Sequence, residues 1–250
     1  MSARILLGLD VGGSSVKGGL VDVDAGRLVG ELRSVPTPQP ATPDAVADAI
    51  AAFAQTLPSD GPVGIAFPSV VQHGVARTAA HVDPSWVDVD GVELFGRRLG
   101  RPVTFLNDAD AAGLAEMTWG AGRGLGGTVM VLTLGTGIGT VIFVDGTMVP
   151  NLELGHVEMA SCAQEIEEYA SARIRTELSL DFPAWTARVN EVLAYLHRLL
   201  WPEAFILGGS VIERYDEFAS LLHAPCTILP AQFGAQAGTV GAALAASRAR

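Results

Sequence analysis

Short apolar runs alternate with longer amphipathic stretches along the chain. The short runs have the length of buried strands, at 5–9, 63–67, 102–106, 129–134 and 204–207. The longer stretches have a helical period and predict helices at 43–57, 108–119, 164–176, 184–201 and 238–246. Strands in alternation with helices predict an α/β protein.

One part of this pattern occurs twice, at 5–29 and again at 129–149. Each copy has the order strand, glycine-rich turn, strand, Asp/Gly turn, strand. The glycine-rich turns are Gly12-Gly13 and Gly135-Thr136-Gly137. A duplication fixes the architecture, so we expect two similar α/β domains around a cleft, each with one such turn. The predicted domains are 1–113, with a helix at 237–250 that packs back on it, and 114–236.

The uncharged segment from Gly127 to Val144 has the hydropathy of a membrane span. Its glycines and threonines, and the turn signal Asp145-Gly146 after it, favour two buried strands instead. The apolar N-terminal segment is interrupted by Asp10 and lacks a small-residue cleavage site, so we expect no signal peptide. These observations predict a cytoplasmic protein.

Composition excludes several classes of protein. The chain has 250 residues, and its hydrophobic fraction of 49% excludes intrinsic disorder. Two cysteines, Cys162 and Cys226, exclude a disulfide-stapled fold. A formal net charge of −11, with Lys17 as the only lysine, argues against binding to nucleic acids or anionic membranes.

The glycine-rich turns are candidate phosphate sites. Their backbone N–H groups can converge on an anion, and neighbouring Ser or Thr hydroxyls can assist. Either turn alone is equally well explained as a tight hairpin. Two matching turns in duplicated copies favour phosphate binding, because a ligand site between two domains is common.

Polar residues end two of the predicted strands. Asp10 precedes the first glycine-rich turn, where it can hold a phosphate-bound Mg²⁺ or form an Asx turn. Asn107-Asp108 ends another strand, where it can cap the next helix or direct the Asp108 carboxylate at a substrate. Glu153, His156 and Glu158 suit sugar hydroxyls, although a lone histidine is more often structural.

Four motifs carry a family resemblance. Residues 10–17 and 134–139 resemble the two phosphate motifs of the sugar kinase/actin-like ATPase superfamily, and 205–210 resembles its adenosine motif, with Ser210 in place of a glycine. Glu153-Leu154-Gly155-His156 is similar to the Glu-x-Gly-His signature of the ROK (repressor, open reading frame, kinase) family. Within that family, the runs at 67–75, 107–117 and 151–156 resemble the polyphosphate glucokinase group.

The resemblance implies an actin-like ATPase (RNase H-like) fold and Mg²⁺-dependent phosphorylation of glucose at O6 by polyphosphate, ATP or both. It implies that Asp108 is the general base and that Asp10 positions Mg²⁺ through water. The implied phosphate or nucleotide contacts are Asp10, Gly12, Gly13, Ser14, Ser15, Lys17, Thr133, Gly135, Thr136, Gly137, Gly208 and Gly209. The implied sugar contacts are Asn107, Asp108, Glu153, His156 and Glu167.

Three further comparisons with the family pattern add expectations. The cysteine cluster that follows Glu-x-Gly-His in many members is reduced here to Cys162, so we expect no structural zinc. Glu167 matches the sugar-contacting Glu of a Glu-x-Tyr-Ala-Ser segment, with Glu165 as the alternative. Since no helix-turn-helix pattern precedes Asp10, we expect no repressor function.

This chain has few of the basic residues that are common in the polyphosphate glucokinase group. It has non-basic residues at positions where those proteins often have cations, namely Gln72, Pro84, Leu125 and Ile212-Glu213. We therefore expect ATP to serve as well as polyphosphate, with Arg123 as the candidate cation near the phosphate site. We also expect a homodimer. The alternatives are an ATP-dependent kinase for mannose or an N-acetylated hexosamine, and a non-catalytic sugar-binding protein.

Overall fold

The computed structural model describes residues 3–79 and 82–249. These form two compact units. Unit 1 contains the described residues up to Ala115 and those from Gln236 onward, and unit 2 is Glu116–Ala235. Within the described residues, no helix combines the length and the apolar character needed to cross a membrane.

Unit 1 is built on a five-stranded sheet with the order β3-β2-β1-β4-β7. The first three strands are antiparallel neighbours, whereas β1, β4 and β7 run parallel. The elements are β1 (Ile5–Val11), β2 (Ser15–Asp22), β3 (Arg27–Pro36), α1 (Pro43–Gln55), β4 (Val63–Phe67), β5 (Val71–Gln72), β6 (Val75–Ala76), α2 (Gly91–Leu99), β7 (Val103–Asn107) and α3 (Asp108–Trp119).

Unit 2 repeats this arrangement in a sheet with the order β10-β9-β8-β13-β14. Again the first three strands are antiparallel, and β8, β13 and β14 run parallel. The elements are β8 (Thr128–Leu134), β9 (Ile138–Val144), β10 (Thr147–Val149), β11 (Glu158–Met159), β12 (Gln164–Glu165), α4 (Ile166–Ala170), α5 (Ala172–Glu177), α6 (Phe182–Leu200), β13 (Ala204–Gly208) and β14 (Thr227–Pro230).

The matching strand orders confirm the predicted α/β fold with two similar sheets. The uncharged segment 127–144 forms β8 and β9, as the turn signals indicated. Apolar residues fill one core in each unit. An aromatic cluster lies in the core of unit 1, and Trp185 of α6 lies in the core of unit 2, where its indole N–H donates to Ala170 O at 2.9 Å.

The helix predicted over 164–176 is wrong in part. Gln164 and Glu165 pair with β11 as a short strand, and the remaining residues form two helices, α4 and α5. The break lies at Ser171, which is buried and extended, with φ −64° and ψ 161°. Its hydroxyl accepts the N–H of Ile174 at 3.3 Å, so the serine caps a new helix instead of continuing the old one.

The chain closes with α7 (Ala237–Arg248), which packs on β1 and β4 of unit 1. Gly8 and Gly64 allow this contact, because a Cβ on either residue would overlap the carbonyls of Thr239 and Ala242 in the helix. The backbone of α7 therefore rests directly on the sheet. This contact sets the position of its first turn, which lies at the carboxyl end of β1.

Candidate functional site

The first glycine-rich turn joins β1 to β2 in unit 1. Gly12 N–H donates to Ser15 O at 2.9 Å and closes the turn. The carbonyls of Gly12–Ser14 accept hydrogen bonds from Thr37 Oγ1 at 2.6 Å, Gln39 Nε2 at 3.1 Å and Thr37 N–H at 3.0 Å. Because the N–H of a trans peptide points away from its C=O, the N–H groups paired with these carbonyls face the opposite side of the turn. That side suits an anion.

Asp10 stands at the carboxyl end of β1, directly opposite Lys17 of β2. Burial raises the pKa of the Asp10 carboxyl, and the positive charge of Lys17 acts in the opposite direction. Gly238, in the first turn of α7, lies against the same carboxylate. A nearby cation would favour the ionised form of this buried acid.

Asn107 and Asp108 lie at the end of β7, in the row of parallel strands that includes β1 and β4. The Asn107 side chain is buried: its Oδ1 accepts Asp110 N–H at 3.0 Å and its Nδ2 donates to Ser69 O at 3.0 Å. Asn107 is therefore the cap of α3, and its contact with sugar stays a prediction. Asp108 begins the helix half-buried, with Oδ1 accepting Ala109 N–H at 2.8 Å.

The second glycine-rich turn joins β8 to β9 in unit 2. Gly135 N–H donates to Gly137 O at 3.0 Å. Ile138 N–H donates to Glu167 Oε2 at 3.3 Å, which ties the end of the turn to α4. Thr136, at the tip, is exposed, and a Cβ built on Gly135 would meet no atom within 4 Å. We call residues 135–137 the phosphate loop.

The third glycine motif lies next to this loop. β13 runs parallel to β8, and the register places Gly208 beside Thr133. Gly209 has φ +87°, and a Cβ at this position would overlap the backbone of Leu134. Only glycine accommodates both the positive φ and this close approach to the backbone. The third motif and the phosphate loop thus lie at the carboxyl ends of adjacent parallel strands, β13 and β8.

Four polar side chains meet beside the phosphate loop. His156 Nδ1 lies 2.9 Å from Glu165 Oε2 and 3.8 Å from Glu167 Oε1, and its Nε2 lies 3.6 Å from Glu153 Oε2. Glu153, His156, Glu165 and Glu167 are the His156 cluster. Glu158 is exposed in β11, and within the described residues no hydrogen bond or ion pair joins it to His156.

The cluster changes the acidity of its members. The hydrogen bond that the His156 ring donates to Glu165 is the main cause that raises the pKa of His156, and the charges of Glu167, Glu165 and Glu153 add to it, while burial opposes them. Burial raises the pKa of Glu153; the charge of His156 counteracts this rise and that of Glu167 adds to it. A protonated histidine among carboxylates offers both donors and acceptors to a polyhydroxyl ligand.

The structure also bears on metal binding in unit 2. In the part of the chain that it describes, one group of three potential ligands comes together: His156, Glu165 and Glu167, with ligand atoms within 4.8 Å of one another. Cys162 is not a member of that group. Structural zinc normally has four protein ligands, whereas this group has three. That the protein holds no structural zinc stays a prediction.

The arginines near the end of α2 have structural roles. Arg98 pairs with Asp44 at 2.6 Å and with Asp48, both on α1. Arg101 donates through Nε to Gly61 O at 2.9 Å. Both arginines are therefore engaged by groups of unit 1 at this end of the helix. Arg123 is exposed in the turn that precedes β8.

Sequence reasoning missed three residues that contact the glycine turns. Thr37 and Gln39 hold the first turn, and Arg173 Nε donates to Thr136 O in the phosphate loop at 3.1 Å. Each contact joins a side chain to a backbone carbonyl 25 to 37 residues away. No local sequence motif predicts a contact between residues so far apart in the chain.

A model of the ROK family matches residues 6–173. The chain belongs to the ROK family. It is 45% identical over 239 residues to a polyphosphate glucokinase of Mycobacterium tuberculosis (strain CDC 1551 / Oshkosh), covering 95% of this chain and 89% of the relative. It is also 40% identical to the polyphosphate glucokinase of Mycobacterium leprae (strain TN), over 96% of this chain and 74% of that relative.

Two solved structures extend the comparison of this ROK protein. The inorganic polyphosphate/ATP-glucomannokinase from Arthrobacter sp. strain KM superposes with a TM-score of 0.93 at 45% identity, covering 98% of both chains. A ROK family glucokinase from Streptomyces griseus in complex with glucose and AMPPNP gives a TM-score of 0.81 at 26% identity, covering 96% of this chain and 98% of the other. Both comparisons agree with the actin-like ATPase fold expected from the motifs.

Proposed function

We propose that this ROK protein transfers a phosphoryl group from polyphosphate or ATP to O6 of glucose. The similarity to polyphosphate glucokinases over nearly the whole chain supports this assignment. The donors follow those named for the Arthrobacter relative. The product is glucose 6-phosphate.

One contact carries the proposal: Glu167 Oε2 accepts the N–H of Ile138, the residue that follows the phosphate loop, at 3.3 Å. The same carboxylate belongs to the His156 cluster, through Oε1. A turn that suits phosphate and a cluster that suits sugar hydroxyls are therefore joined through one side chain. Phosphoryl transfer depends on such proximity, because most of its catalysis is positioning and charge stabilisation.

The residues then take distinct roles. Backbone N–H groups of Gly13, Thr136 and Gly137, with those of Gly208-Gly209, bind the donor, while Gly12 and Gly135 close the two turns through their own N–H groups. The hydroxyls of Ser14, Ser15 and Thr133 and the charge of Lys17 assist. Asn107, Glu153, His156 and Glu167 hold the sugar. Asp108 accepts the proton of the O6 hydroxyl as that oxygen attacks the terminal phosphorus, which assists by about 10²–10⁴-fold. The bond from this phosphorus to its bridging oxygen breaks, and ADP or the shortened polyphosphate leaves.

Asp10 has the properties of a Mg²⁺ ligand. Its carboxylate is a hard oxygen donor, a bound cation would offset the burial that raises its pKa, and Gly238 leaves room beside it where a Cβ would intrude. One protein carboxylate suffices for an ion that keeps most of its waters. Bound with the donor, Mg²⁺ would neutralise phosphate charge. Asp10 would hold it, either directly or through water.

Mannose is a second candidate acceptor, because the Arthrobacter relative with a TM-score of 0.93 is a glucomannokinase. The His156 cluster offers several acceptors to ring hydroxyls, so a change of configuration at one carbon leaves most contacts intact.

We further propose that the enzyme is a cytoplasmic homodimer.

The assignment is tested by incubating the purified protein with Mg²⁺, glucose and either ATP or polyphosphate. Glucose 6-phosphate is detected by its dehydrogenase, and ³¹P NMR identifies the oxygen that is phosphorylated. We expect product with each donor, and product from mannose at a higher KM. Heat release on glucose titration without product from any donor would instead indicate a sugar-binding protein.

A further inference from the structure

Arg173 lies against the carbonyl side of the phosphate loop. Its backbone N–H donates to Gly135 O at 3.1 Å, and its Nε donates to Thr136 O at 3.1 Å. One residue of α5 thus holds two consecutive carbonyls of the loop. None of the family motifs in the sequence includes this residue.

These two contacts fix the direction of two peptide planes. The carbonyl of Gly135 shares its peptide with the N–H of Thr136, and the carbonyl of Thr136 shares its peptide with the N–H of Gly137. In a trans peptide the two groups point in opposite directions. Both N–H groups therefore face away from Arg173, and within the described chain no protein acceptor binds either of them. Two successive N–H groups directed to one side form an anion-binding concavity.

The guanidinium of Arg173 is itself held in place. Its Nη1 donates to both carboxylate oxygens of Glu177, at 3.1 and 3.2 Å, and its Nη2 donates to Glu168 Oε1 at 2.6 Å. The side chain is 30% exposed. Two carboxylates neutralise the cation, so this arginine is poorly suited to attract a polyanion directly. The planar fork of an arginine can serve three acceptors in fixed directions, which a lysine ammonium cannot reproduce.

We propose that Arg173 is a positioning residue that orients the phosphate loop toward the phosphoryl donor. This inference rests on the proposed function, in which the loop binds the donor. The first glycine-rich turn supports it by analogy, because Thr37 and Gln39 hold its carbonyls in the same manner. Arg173 acts on the donor through the backbone of residues 135–137 and serves ATP and polyphosphate alike.

The test compares Arg173→Ala and Arg173→Lys with Arg175→Ala. Arg175 is two residues further along α5, and its guanidinium stacks on the Phe182 ring at 4.0 Å, so its truncation controls for the loss of an arginine from this helix. We expect Arg173→Ala to raise the KM of both donors about tenfold, the scale of one charge-assisted hydrogen bond. The KM of glucose stays within about twofold, because the hydrogen bond of Ile138 N–H to Glu167 persists.

Two further measurements separate positioning from a merely structural role. Guanidinium ion, compared with sodium at equal ionic strength, should restore part of the donor KM in Arg173→Ala but not change Arg175→Ala. Calorimetric titration with ADP should show the same loss of affinity without turnover. Arg173→Lys keeps a charge against Glu168 and Glu177 but cannot also hold Thr136 O, so we expect its donor KM to lie between those of the wild type and Arg173→Ala. If the alanine variant fails to fold, this raised donor KM in Arg173→Lys is the test.

The inference is overturned if the donor and glucose KM rise together in Arg173→Ala, or if Arg175→Ala reproduces the shift. It is also overturned if the polyphosphate KM alone rises and loses its salt dependence, since Arg173 would then bind that polyanion directly. A wild-type protein that forms no glucose 6-phosphate would refute the proposed function. The ADP titrations would still test the role of Arg173.

Discussion

The carboxylate of Asp10 packs against Gly238, so closely that a Cβ at position 238 would lie 2.6 Å from Asp10 Cγ and 2.7 Å from Oδ2. The glycine belongs to the first turn of α7, and that helix is fixed on β1 and β4. The room around the proposed Mg²⁺ ligand is thus set by a residue more than two hundred positions away in the chain.

Gly238→Ala should therefore displace Asp10 and reduce turnover. The helix is anchored by its own close packing, so the carboxylate is the group that moves, and a displacement near 1 Å is worth about 10²-fold in rate. We expect a raised Mg²⁺ requirement in steady-state kinetics. Gly96→Ala in α2 is the control, because its nearest neighbour would be Arg101 O at 3.6 Å. Wild-type kinetics for Gly238→Ala would contradict the assignment of Asp10.

Asp108→Asn should abolish most turnover without loss of the fold. The cap of α3 is the Asn107 side chain, so the substitution removes the proposed base while it leaves that cap intact. We expect kcat to fall by at least about 10²-fold, and the melting temperature to stay close to that of the wild type. Asp44→Asn, in the first turn of α1, controls for the same change at a helix start. A variant with near-wild-type kcat would exclude Asp108 as the base.

The sequence predicted the two sheets of the fold more completely than it predicted the contacts around the candidate site. The apolar runs and the repeated strand–turn–strand pattern predicted both sheets, because a buried strand needs only a local sequence pattern. The break at Ser171 was not predicted, since the residues around it have a helical pattern and the serine is both buried and a cap. The role of Arg173 was not predicted either, because it depends on a contact with Thr136 across 37 residues.

The two glycines of the phosphate loop should respond differently to alanine. A Cβ on Gly135 meets no atom within 4 Å, so Gly135→Ala should fold normally yet raise the donor KM, because the methyl group stands where a phosphate approaches. A Cβ on Gly137 would overlap Glu167 Oε2. Gly137→Ala should therefore raise the KM of glucose as well as that of the donor. Equal kinetic effects of the two variants would argue against a phosphate site at Gly135.

Glu116 should contribute strongly to the stability of unit 2. It is buried, and its carboxylate accepts three backbone N–H groups: Gln232 and Phe233 at 2.8 Å each, and Ala121 at 3.0 Å. Glu116→Gln leaves at least one of them unpaired, at a cost of about 1–3 kcal/mol in the free energy of unfolding. Urea denaturation measures the loss. Glu203→Gln, an exposed carboxylate that accepts Thr128 N–H, should cost much less because water replaces the contact.

The His156 cluster should make stability depend on pH above 6.5, the ordinary pKa of histidine. The hydrogen bond that His156 donates to Glu165 is the largest cause that raises the pKa of His156 in the folded state. Such a group contributes stability that is fully present below the unfolded pKa and is lost as the pH rises through the folded one. The free energy of unfolding should therefore fall with rising pH in this window, and Glu165→Gln should flatten the fall.

Urea denaturation at a series of pH values checks this slope. Glu153, whose pKa is also raised, has an ordinary value of 4.5. Because the folded state raises the pKa of this acid, its contribution to the free energy of unfolding also falls as the pH rises, but that fall begins near pH 4.5. Glu153→Gln removes this contribution and so measures it. His197→Gln, in α6, controls for the loss of a histidine outside the cluster. A slope above pH 6.5 that is equal in wild type and Glu165→Gln would show that Glu165 does not hold the proton of His156, because its carboxylate is the largest cause of the raised pKa.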